Sequence, residues 1–199
     1  MATPTQVNDC FAAVRAVYPT KLVGVNYLYD TACMELLPSD ADILWTDYGG
    51  SNNRSSLEHA RCVRERVALQ KRLEADSTLK HPLHFGAFSF PKSGVVPLRD
   101  SELPAAAALA KSMLEVLTAS GASTGVSIDV QRAARLRAAV GEDGCLAIAS
   151  GVDEQNCTAL LPYFDIFMVN SSLLMTLPQK QSRHFLPWTC PQCTVQNWR

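Results

Sequence analysis

The residues best suited to chemistry follow short apolar runs, and most of them are small and polar. Ser120-Gly121-Ala122-Ser123-Thr124-Gly125, Ser150-Gly151 and Asn170-Ser171-Ser172 each succeed such a run. Glycines let backbone amides close on a phosphate, hydroxyls add donors, and a helix starting after the loop adds partial positive charge. A lone Ser-Gly after a strand is ordinarily a tight turn. Recurrence in consecutive units points instead to an anion site formed by Ser120, Gly121, Ser123, Thr124, Gly125, Ser150, Gly151, Asn170, Ser171 and Ser172. Lys92, in Pro91-Lys92-Ser93-Gly94, supplies a full positive charge. Asp47 is the candidate catalytic acid-base, because desolvation beside Trp45 and Tyr48 raises a carboxyl pKa toward the range useful for proton transfer.

The remaining reactive types read more plainly. His81 and His84 have a spacing that can ligate metal on a helix, but Pro82 between them opposes a helix and places the pair at the amino, stabilising end of a strand. Arg61, Arg64, Arg66, Lys71 and Arg72 read as the solvated face of a helix, with His59 beside them on the surface. Cysteines at positions 10, 33, 62, 145 and 157 read as small buried hydrophobes. Only Cys190 and Cys193 have a spacing that carries chemistry.

The elements that must position these groups alternate regularly. Apolar, β-favouring runs occur at Leu22 to Leu28, Ala41 to Thr46, Leu83 to Phe90, Val116 to Thr118, Cys145 to Ala149 and Asp165 to Val169. Most are continuously apolar, as strands buried on both faces are. Between them lie helical stretches: one opened by a Ser55-to-Glu58 capping box and running to about Leu73, an Ala-rich one begun by Pro104, one capped by Asp129 and closed at Gly141, and one capped by Asp153 and running through Leu161. Parallel neighbours need crossovers, and helices are the usual crossovers, so the order argues for an α/β fold with a parallel sheet. In such sheets ligands gather at the carboxyl ends of the strands, where the small polar loops fall.

Composition removes other classes. With 18 basic against 19 acidic residues and a formal charge of −1, there is no basic surface of the kind that non-specific nucleic-acid binding requires. No apolar run approaches the roughly 20 residues of a membrane-spanning helix. Residues 1–20 do not have the layout of a secretory signal, so a cytoplasmic, reducing location is expected.

The run Leu146 to Asn156, followed by Leu161 to Val169, resembles the closing two β-α units of BtpA-like proteins of the ribulose-phosphate-binding TIM-barrel superfamily. Gly24 to Leu28, Leu44 to Asp47 and Thr118 to Gly125 fit the same register. The resemblance covers about residues 10 to 175 and implies a parallel (β/α) barrel of TIM type. The six runs correspond to its third through eighth strands, so the first two are lacking. It also implies that a substrate phosphate is held by Ser150, Gly151, Asn170, Ser171 and Ser172. The chain departs from the family at Ser172, where a Gly is usual, and at Ser89, where a Lys is usual. A closed barrel of this type takes about 250 residues, so the chain reads as a fragment of a longer product or as an open barrel whose edge an oligomeric partner covers.

Trp188 to Asn197 resembles the first half of a Ran-binding-protein-type zinc finger, a module that binds ubiquitin or RNA. That resemblance implies zinc at Cys190 and Cys193, with the site left incomplete, because a structural zinc takes four ligands. The sequence therefore divides into a barrel domain over 1–175, a linker over 176–187 and a tail over 188–199. Two functions follow. The first is a barrel that binds or acts on a phosphorylated small molecule, with the reaction unassigned. The second is an interaction protein that reaches ubiquitin or RNA through its tail, with a non-catalytic barrel as scaffold.

Overall fold

The computed structural model describes residues 3–27, 36–46, 56–89, 97–123 and 125–169. Six strands form one sheet: β1 (Gly24–Asn26), β2 (Ile43–Thr46), β3 (Leu83–Ser89), β4 (Val116–Ala119), β5 (Cys145–Ala149) and β6 (Ile166–Met168). Each pairs in parallel with its neighbour in sequence, giving the order β1-β2-β3-β4-β5-β6. The sheet curls into a half-barrel. The helices are α1 (Pro4–Val17), α2 (Ser56–Ala75), α3 (Leu103–Lys111), α4 (Val130–Val140) and the single turn α5 (Cys157–Leu160).

All of these helices that pack on the sheet do so on one face, which distinguishes this half-barrel from a doubly wound sheet. Phe11 of α1 and Leu69 and Leu73 of α2 cover Val25 and Leu44. Residues of α3, α4 and α5 cover Phe88, Leu117, Ala119, Leu146 and Ile148. On the opposite face, among the described residues, strand residues pack against one another: Phe85, Val116 and Ala147 with Ile43, Trp45, Cys145, Ile166 and Met168. Burying both faces explains why the central runs read as continuously apolar, since β4 is buried throughout. The terminal strands β1 and β6, each with one neighbour, are only partly covered.

The expected strands all form, and Asp129, Gly141 and Pro104 mark helix boundaries as expected. Asp129 accepts a hydrogen bond from the Arg132 amide at 3.0 Å, and α4 ends at Gly141 with φ +80°. Asp153 does not cap α5 as expected: it accepts from the amides of Gln155 and Asn156 in a turn, and the helix begins after it at Cys157, with Asn156 at the cap position. Pro104 sits in the first turn of α3. Helix α1 was not anticipated, although its signal is local: Thr3 accepts from the Gln6 amide, Gln6 accepts from the Thr3 amide, and Pro4 follows the cap. The Ser55 capping box lies outside the described residues.

A two-unit repeat emerges at the amino edge of the sheet. Asp42, immediately before β2, accepts from the Val23 amide at 2.8 Å and from Arg15 of α1 at 2.5 Å. Glu115, before β4, accepts from the His84 amide and from Arg66 of α2, both at 2.8 Å. Asp165, before β6, accepts from the Leu146 amide at 2.8 Å and from Arg137 of α4 at 2.5 Å. Each acid thus joins the start of the preceding strand to an earlier helix. Lys80 also pairs with Asp42. Burial alone would raise the Asp42 carboxyl, but hydrogen bonds from Lys80, Arg15 and Val23 outweigh it and lower the pKa to about 2.

Two expectations are corrected here. Arg66 does not lie on a solvated face: its guanidinium turns onto the sheet, where Nη1 reaches His84 Nδ1 at 3.0 Å. Cys10 is exposed, while Cys145 and Cys157 are half-buried, so these three are not core residues. Desolvation, reinforced by the Asp165 carboxylate, raises the Cys145 thiol to about 11, which makes it a poor nucleophile.

Candidate functional site

The described members of the expected anion site do come together, at the carboxyl edge of the half-barrel. Parallel register places the ends of β4 and β5 side by side, with Ala119 opposite Ile148, so the loops beginning at Ser120 and Ser150 start as neighbours. Gly125 then donates its amide to the Ser150 hydroxyl at 2.8 Å. Asn156 ties the same two loops from below, donating to the Gly151 carbonyl at 2.7 Å and to Ser127 Oγ at 3.2 Å.

Two glycines make this approach possible. A Cβ on Gly121 would stand 2.0 Å from the Val126 carbonyl oxygen, and one on Gly151 would stand 2.2 Å from the same atom. The loop after β4 thus folds tightly on itself at Gly121 and receives the loop after β5 at Gly151, with no room for a side chain at either contact. Ser150 occupies the left-handed region with φ +82°, among the described residues the only non-glycine to do so. Such a conformation costs on the order of 1 kcal/mol or more and persists where the surroundings enforce it.

The loop pair uses some of its donors internally. The Ser120 hydroxyl donates to the Gly121 carbonyl at 3.0 Å, and the Gly125 amide is taken up by Ser150. The amides of Gly121 and Gly151 have no acceptor among the described residues. Ser123 is exposed at the rim. Asp47, Lys92, Thr124, Asn170, Ser171, Ser172, Cys190 and Cys193 lie outside the described residues.

A cation that sequence reading did not single out reaches this edge from the side. Arg132, in the first turn of α4, donates to the Leu98 carbonyl at 2.8 Å, to Ser89 Oγ at 3.4 Å and to Asp100 at 2.6 Å. Asp100 is shared with Arg135, which binds its other oxygen at 2.9 Å, and through these bonds Arg132 braces the segment after β3 against α4. Its only sequence signal is its place three residues after the Asp129 cap.

His84 belongs to the opposite, amino side, on the face covered by helices. It is buried, with Nε2 2.8 Å from Thr46 Oγ1 and Nδ1 receiving the Arg66 guanidinium. Because Arg66 can only donate, Nδ1 is the acceptor and the proton sits on Nε2. Desolvation, helped by the Arg66 charge, lowers its pKa to about 3. A neutral ring with both nitrogens engaged is a structural histidine. Among the described residues no cluster of three or more His, Cys, Asp or Glu is placed to hold a metal ion.

The hydroxyl of Thr118 is unexplained by this packing. Thr118, in the middle of β4, is fully buried, and its Oγ1 has no hydrogen-bond partner. No family model matches the chain, and no curated protein matches it in sequence.

Proposed function

We propose that the protein binds a phosphorylated small molecule at the carboxyl edge of its half-barrel, as its resemblance to BtpA-like TIM-type barrels implies. The observation that supports this reading is the closure of the Ser120 and Ser150 loops on one another through the close approach of Gly151 to Val126 and the Gly125–Ser150 hydrogen bond. Two strand-end loops locked together, one of them through a strained serine, leave the amides of Gly121 and Gly151 for a bound anion. Asp47, next in sequence after β2, is the acid-base group of this reading, and the reaction is left unassigned.

Isothermal titration of the full chain with inorganic phosphate and glycerol 3-phosphate tests the reading. Saturable binding that is lost in Gly151→Ala is the expected result. A folded protein that gives no heat with either probe at millimolar concentration would sink it.

A further inference from the structure

We infer that Thr118 is a ligand-contacting residue, which receives or donates the hydrogen bond of a hydroxyl or carbonyl oxygen on the molecule whose phosphate sits at the loop edge; this rests on the phosphate-binding reading above. The face of Thr118 follows from its neighbours. Leu117 and Ala119 pack against the helices, so Thr118, between them, is directed to the helix-free inner face with Val116. There its register partners are Ala87 on β3 and Ala147 on β5. Both are fully buried, and Ala149 lies two residues further along β5.

Barrel interiors are ordinarily filled by bulky branched side chains. Here three alanines surround a single hydroxyl, and Trp45 and Met168 lie across Ala87 and Ala149. A buried hydroxyl with no partner costs about 1–3 kcal/mol, which an apolar residue of the same shape would avoid. Such an atom is accounted for when a ligand atom completes its bonding. Met168 is only partly buried, and a methionine side chain can give way without a rigid rearrangement.

The spacing limits what the ligand can be. Strand rise puts Thr118 about 7 Å below Ser120, at which the phosphate loop begins. That is about the reach of a phosphorylated polyol or hydroxycarbonyl of three or four carbons, phosphate at the rim and an oxygen function at the inner end.

Three proteins are compared by isothermal titration: the full chain, Thr118→Val and Thr118→Ser. Glycerol 3-phosphate is expected to bind the parent about tenfold more tightly than inorganic phosphate, the gain of roughly one hydrogen bond. Thr118→Val should lose that gain, keep its phosphate affinity within about twofold, and unfold without ligand at the same or a higher temperature. Thr118→Ser should keep the gain. Phosphate binding with no preference for glycerol 3-phosphate, or a preference that survives in Thr118→Val, would overturn this assignment while leaving the phosphate site standing. No binding of either probe overturns both.

Discussion

The backbone amide of Gly125 donates to the side chain of Ser150 across 25 residues of sequence, at 2.8 Å, and so fastens the loop after β4 to the loop after β5. Ser150 pays for this with a left-handed backbone. The two effects oppose each other, and substitutions can separate them.

Ser150→Gly relieves the strain and loses the acceptor, and its stability should stay within about 0.5 kcal/mol of the parent. Ser150→Ala keeps the strain and loses the acceptor, and should be less stable by roughly 1–2 kcal/mol. Urea unfolding measures both. An alanine variant as stable as the glycine variant would mean that the left-handed backbone carries no strain.

The three loop glycines should respond unequally to alanine. Gly121→Ala and Gly151→Ala drive a Cβ into the Val126 backbone, so the first must open the loop after β4 and the second must part the two loops. Each should cost about 2–4 kcal/mol, in the range of substitutions that break a special backbone geometry. At Gly125 the space is open and only φ +79° opposes a side chain, so Gly125→Ala should cost roughly 1 kcal/mol. Equal losses at all three positions would contradict the close approach.

Acid should weaken the fold through His84. In the unfolded chain its imidazole takes a proton near pH 6.5, whereas in the folded protein the pKa lies at about 3. Between those values only the unfolded chain is protonated at this group, so the stabilisation present above pH 6.5 is lost as pH falls toward 3. His84→Gln, which cannot titrate, should flatten that part of the stability profile relative to the parent. Denaturation midpoints at pH 7, 6, 5 and 4 decide it, and parallel profiles would exclude a buried neutral imidazole.

The acids of the amino edge should differ in weight according to their burial. The Asp42 side chain is 6% exposed and faces two cations, whereas that of Asp165 is 39% exposed. Asp42→Asn should therefore cost about 2–3 kcal/mol, because the buried acceptor loses its charge-assisted bonds to Arg15 and Lys80. Asp165→Asn should cost about 1 kcal/mol, since water screens the pair. Thermal unfolding of both variants checks the order, and a reversal would mean that the Asp42 cluster is not held as found.

Much of the architecture was legible in the chain. Continuous apolar runs such as Leu146 to Ala149, which follows the helix bounded by Asp129 and Gly141, point to a parallel sheet, because a strand buried on both faces has no polar alternation to show. Asp129, Gly141 and Pro104 act within one helical turn of themselves, so they can be read locally. Thr3-Pro4-Thr5-Gln6 was equally readable as a capping box. The helix it opens sets Val7 and Phe11, four residues apart, toward the sheet.

The sequence by itself determined the strand–helix order, the small polar character of the loops at the carboxyl edge, and the absence of any long apolar span. Those properties depend on neighbours in the chain and on the chemistry of single residues. The tertiary structure decided which contacts those residues make. Arg66 turns inward because His84 and Glu115, 18 and 49 residues away, present an acceptor nitrogen and a carboxylate to it. Gly121 and Gly151 are confined by one carbonyl oxygen, and Thr118 is left without a partner by the alanines that register sets beside it. Register and face are settled only when strands pair, because a shift of one residue would exchange every inward side chain for an outward one.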